Sequence, residues 1–191
     1  MRAVVSEYNQ NKIHQHKLAL WIGIATIIMM FGSFTSAYIV RRAAGNWYEF
    51  KLPDIFILNT VVILASSATL HWSYRCFKNG LEKRYKALLL VTLALGLTFV
   101  ALQYQGWNAL NAMGATFTIN PSSSFVFVIS GLHAVHVLGG IAALVVALAH
   151  AYYLPFKPTP RRKLRFELVV QYWHFVDLLW VYLVIFFMIQ S

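Results

Sequence analysis

Charged positions divide this chain into long apolar runs. No Asp, Glu, Lys or Arg occurs from Leu18 to Val40, from Ile55 to Tyr74, or from Ala87 to Phe156. After Glu167 the only charge is Asp177. A membrane-spanning helix takes about 20 apolar residues, so the first two runs hold one helix each. The third must hold two, because its middle, QYQGWNALNAMGATFTINPSSS (103–124), is rich in Asn, Gly, Ser and Pro and reads as a loop. The last run adds a fifth. The pattern predicts helices over about 18–40, 54–74, 87–106, 123–153 and 167–189. Pro53 with Asp54, and Pro121 with Ser122–Ser124, suit helix starts. Pro155, Pro158 and Pro160 end the fourth helix. The fold class is an all-α integral membrane bundle of five spans, a single membrane domain over residues 1–191.

Composition agrees. Of 191 residues, 12% are charged, against about 25% in a soluble domain. The net charge of +10 invites a nucleic-acid reading, but its placement argues for orientation instead. Thirteen Lys and Arg fall before the first helix or in the second and fourth loops, and three in the first loop. The positive-inside rule then puts the N-terminus in the cytoplasm and the C-terminus outside. Basic loops also favour anionic lipid headgroups. Trp72, Tyr74, Tyr152, Tyr153 and Tyr172 are expected at the inner interface, and Trp47, Tyr48, Tyr104 and Trp107 at the outer one. The N-terminus does not read as a cleaved signal. Cys76 is alone, so no internal disulfide or cysteine cluster is available.

Small residues mark candidate packing faces. The fourth helix has Gly139, Ala143, Ala147 and Ala151 at i+4 spacing. The first has Gly32, Ser33, Ser36 and Ala37; the second has Ser66, Ser67 and Ala68, with Asn59 and Thr60 further out.

The chemistry lies in four intramembrane residues. His133 and His136 share a face of the fourth helix, and His174 and Asp177 share a face of the fifth. A carboxylate at mid-membrane costs about 2.5–3.5 kcal/mol, so Asp177 should face protein. Depth counting places His136 and Asp177 near the midplane, and a His136–Asp177 contact is expected. Three uses are open. One is a polar clamp that fixes helix register, one a proton path, one haem or metal ligation by some of His71, His133, His136, His150 and His174. Phosphate-binding Gly-rich loops, H-E-x-x-H and dinucleotide fingerprints are absent, and so are paired broken helices of a secondary transporter.

Four blocks resemble subunit III of the haem–copper terminal oxidases in its short five-helix bacterial form. They are LPDIFILNTVVILASSATL (52–70), FVALQYQGW (99–107), SGLHAVHVLGG (130–140) and QYWHFVDLLWVYL (171–183). The resemblance implies a non-catalytic membrane partner of a subunit I that holds the haems and copper, beside subunit II, in a bacterial inner membrane. The complex reduces dioxygen and moves protons outward. Subunit III is expected to support proton entry, to protect the catalytic subunit and to hold phospholipid, with no cofactor, metal or catalytic residue of its own. His133, His136, His174, Asp177 and Trp180 match the last two helices, Asn59, Thr60, Ser66, Ser67 and Thr69 the second, and Gln103 and Trp107 the third. Two positions depart from the family. Ile27, after Thr26, stands where a membrane-embedded carboxylate is common, and Gly106 where an acid precedes an aromatic residue. Other readings are an accessory subunit of a nitric oxide reductase and a membrane b-type cytochrome. Donor choice, cytochrome c or quinol, belongs to other subunits.

Overall fold

The computed structural model describes residues 2–45, 47, 50–117, 120–156 and 159–190, with residues 2–14 as backbone only. The expectations for Tyr48 and Pro158 fall outside these residues. Five helices follow in order: α1 (Arg2–Ala43), α2 (Ile55–Lys78), α3 (Glu82–Ala112), α4 (Pro121–Tyr153) and α5 (Pro160–Gln190). All five are long and apolar enough to cross a membrane. No strand occurs among the described residues.

Every helix except α4 runs well past its apolar core. α1 begins 16 residues before the expected start, and α3 continues through Gln103–Trp107, which the sequence reading assigned partly to a loop. Hydropathy marks where a helix leaves the hydrocarbon, not where its backbone ladder stops. Local chemistry sets the ends. Asn120, in extended conformation, caps α4 by accepting from the Ser122 N–H at 3.0 Å, with Pro121 in the first turn. Gly80 and Gly114 carry the chain out of α2 and α3 with φ of 77° and 81°, a region that favours glycine.

The packing is a ring of four helices with one outrigger. α2 neighbours α3 and α5, and α4 neighbours α3 and α5, which closes the ring. α1 lies against α4 and α5 and approaches neither α2 nor α3. Its contact stripe is Ile24, Phe31, Thr35 and Tyr38. This corrects the expectation for the first helix: Gly32, Ser33, Ser36 and Ala37 point outward, as does Ala68 on α2. Space decides it. Bulky Phe31 and Tyr38 fill the cleft between α4 and α5 through ring contacts with His133, His136, Phe125 and Phe186, while nothing stands within 4 Å of a Cβ at Gly32.

Candidate functional site

Two tryptophans of α5, two turns apart, organise the middle of the ring. Trp173 donates its indole N–H to Ser66 Oγ on α2 at 2.9 Å. Its ring lies over Gly96 of α3 and Gly140 of α4, where an added Cβ would meet ring carbons at 2.9 Å in each case. Trp180 donates to Thr60 Oγ1 on α2 at 3.1 Å. It stacks on Phe56, meets Phe99 of α3 edge-on and lies on the His133 ring of α4 at 4.9 Å. Each tryptophan therefore touches all three other helices of the ring. Indoles suit this use because they carry large apolar area with a single donor that finds a hydroxyl. The sequence reading included Trp180 and missed Trp173, Gly96 and Gly140; the repeat Trp-x6-Trp on one face of a helix was the available signal.

Asp177 lies between these two layers and is 2% exposed. The expected His136–Asp177 contact does not form. His136 Nδ1 pairs with the Leu132 carbonyl of its own helix at 2.7 Å, and its ring faces Phe31. Ser67 stands beside the Asp177 carboxyl, but the Ser67 hydroxyl is hydrogen-bonded to His174 Nδ1. Among the described residues, neither carboxyl oxygen meets a donor in bonding geometry. His133 is fully buried, and neither of its ring nitrogens has a hydrogen-bond partner among the described residues. Depth counting along helix axes brought the right residues to one level. It could not show that His136 turns toward α1 while Asp177 turns toward α2.

The other matched residues join α2, α3 and α4. Asn59 Nδ2 donates to Gln103 Oε1 at 3.0 Å, both buried. Thr69 and Thr92 pair at 2.8 Å. Trp107 donates to Ser130 at 2.9 Å rather than lying free at an interface. Gly106 has a steric reason to lack a side chain, since a Cβ there would meet the Phe56 ring at 3.1 Å. Ile27 packs against the core. Gly139 is exposed and leaves room for Tyr172, whose hydroxyl donates to the His136 carbonyl at 3.0 Å. Ala143 and Ala147 line a cavity of about 130 Å³, and Ala147 also packs against the core. That cavity lies between α4 and α5 at the end near their link, with Tyr85 and Phe166 on its wall and His150, Arg162 and Arg165 around it. Arg162 donates to the carbonyls of Pro155 and His150.

A profile of the family described as cytochrome c oxidase subunit III matches residues 48–191, the stretch from the α1–α2 loop onward. Among curated proteins, the chain is 35% identical over 134 residues to cytochrome c oxidase subunit 3 of Papio hamadryas, covering 69% of this chain and 49% of the relative. It is 36% identical over 132 residues to that of Gallus gallus (68% and 48%) and 34% identical over 132 residues to that of Hippopotamus amphibius (68% and 48%). The chain spans about half the length of these relatives. Five apolar helices, two tryptophan layers closing their core, and a match that takes in α2 to α5 together place this chain in the cytochrome c oxidase subunit III family.

Proposed function

We propose that the chain works as the non-catalytic subunit III of a respiratory haem–copper oxidase, bound to the haem- and copper-bearing subunits in a bacterial inner membrane. The observation that carries this reading is the enclosure of its chemistry. His133, at 0% exposure, stacks on Trp180, and Asp177, at 2%, is buried between Trp173 and Trp180 along α5. The side chains around them hold helices together, and the work of the complex is done elsewhere. The clamp proposed here runs from α5 to α2, through Trp173–Ser66, His174–Ser67 and Trp180–Thr60. The basic residues gathered before α1 and in the α2–α3 and α4–α5 loops support an N-terminus in the cytoplasm.

Support of proton entry is then exerted by covering and stabilising the catalytic subunit. Asp177 is closed off on both sides by Trp173 and Trp180, which makes it a poor relay. Lipid holding fits the α4–α5 cavity. Its walls are apolar, and exposed Arg165 and His150 at its rim suit a phosphate headgroup.

The test is purification through a tag on this chain. It should bring down haem-bearing subunits and a copper-bearing one, and a complex lacking the chain should start at normal turnover but inactivate sooner. A lone chain with its own haem absorption band, lost on His133→Ala, would return the b-type cytochrome reading. Partners with haem but no copper would favour the nitric oxide reductase.

A further inference from the structure

α5 is flanked by α1 and α2, whose backbones do not approach one another. At 3.6 residues per turn, the α5 side chains facing α1 and those facing α2 leave a strip between them. Tyr182 marks the α1 side through its hydroxyl bond to Thr35 at 3.0 Å, and Trp173 and Trp180 mark the α2 side. Between them run His174, Leu178, Ile185 and Ile189, spaced i+4, i+7 and i+4 along one face. Leu178 is 68% exposed, and Ile185 and Ile189 are exposed as well. The result is a groove with α5 as its floor.

One half of this groove is polar at a depth where hydrocarbon would lie. His174 is seven residues past Glu167, in the cytoplasm-facing half of the expected span. It is half-buried, hydrogen-bonded through Nδ1 to half-buried Ser67, and its ring lies 5.9 Å from that of exposed His71. Among the described residues His71 hydrogen-bonds to nothing, and Nε2 of His174 is free. Three outward hydroxyls behave differently. Thr26, Ser33 and Thr98 each return their hydroxyl to a carbonyl of their own helix, which leaves nothing for a neighbour to satisfy. His136 makes such a return through Nδ1 to the Leu132 carbonyl, but among the described residues His71 and the Nε2 of His174 do not, and intramembrane polar groups are paired or face protein.

We propose that this groove seats one transmembrane helix of a neighbouring subunit. That helix is apolar where it crosses Leu178, Ile185 and Ile189, and carries a hydrogen-bonding side chain (hydroxyl, amide or carboxyl) level with His174 and His71. The proposal rests on the subunit reading above and says which face of the chain the partner covers.

Photo-cross-linking in the intact membrane complex tests it, with a benzoylphenylalanine at position 178 in one preparation, at 71 in a second, and at 97 on the exposed face of α3 as comparison. Positions 178 and 71 should both join to a transmembrane segment of another subunit, and position 97 should not. His71→Leu, at an exposed position, should lower retention of the chain in the detergent-solubilised complex about threefold, the worth of one average membrane hydrogen bond. Adducts at 178 with lipid alone, or with a second copy of this chain, overturn the proposal. So does cross-linking of the haem-bearing subunit from position 97 while 178 is silent, although the subunit reading then survives. If no haem-bearing chain co-purifies, the subunit reading fails, and the groove falls with it unless 178 joins to some other membrane-spanning protein.

Discussion

Trp173 cannot retreat from the small residues around it, because its nitrogen is fixed on Ser66 while its ring is held between two glycines. Gly140→Ala should therefore lower stability by about 1–3 kcal/mol through overpacking, seen as a lower thermal midpoint of the detergent-solubilised protein. Gly32→Ala, made where nothing stands within 4 Å, should leave the midpoint unchanged or slightly raised. An equal loss from both would count against the cradle. Ser66→Ala strands a buried indole N–H and should cost about 1–3 kcal/mol, with a shift in tryptophan emission that Gly32→Ala lacks. Asp177→Asn should leave the midpoint unchanged or raise it, since no protein donor bonds the carboxyl and burying an unpaired acid is unfavourable. A marked drop would reveal a partner for the charge. The need for Asp177 to be shielded from lipid was legible in the sequence, from the cost of a charge at mid-membrane. Its neighbours were not, because which face of α4 meets α5 depends on how α1 wedges between them.

Five spans, their order and their approximate centres followed from where charge is absent, since hydrocarbon tolerates little else. Helix ends did not, because a polar extension keeps its backbone bonds outside the hydrocarbon. Small-residue stripes misled on α1 and, in part, on α4. A Gly or Ser permits close approach without requiring it, and Ala143 and Ala147 also border a cavity. The pairing of α2 with α5 through three hydroxyl-to-ring bonds was hidden as well. Ser66 and Ser67 were visible candidates, but their partners lie 107 residues away in the chain. If those bonds set the α2–α5 register, Thr60→Val and Ser66→Ala should act on neighbouring layers of one seam. Their combined loss measured by unfolding should then differ from the sum of the single losses by more than about 0.5 kcal/mol. Strict additivity would argue that the two layers are independent.

α1 is the least buried of the five spans and lies before the stretch matched by the family profile. Side-chain bonds among the described residues tie it down along its length: Lys17 to Glu167 at 2.8 Å, Thr35 to Tyr182, and Arg42 to Gln190 at 2.6 Å. These three end on α5. Amide hydrogen exchange should be faster in α1 than in α5, and Tyr182→Phe should speed exchange in α1 selectively. Uniform protection across both helices would contradict this. The same arrangement bears on biosynthesis. α5 emerges from the ribosome after the other four helices, yet among the described residues it alone packs against both α1 and α2, and the ring has no fourth wall before it arrives. A nascent chain halted before residue 160 would thus hold a joined α2–α3–α4 unit, with α1 resting on α4 alone. Membrane quality control would meet an open, protease-sensitive intermediate until the final segment inserts.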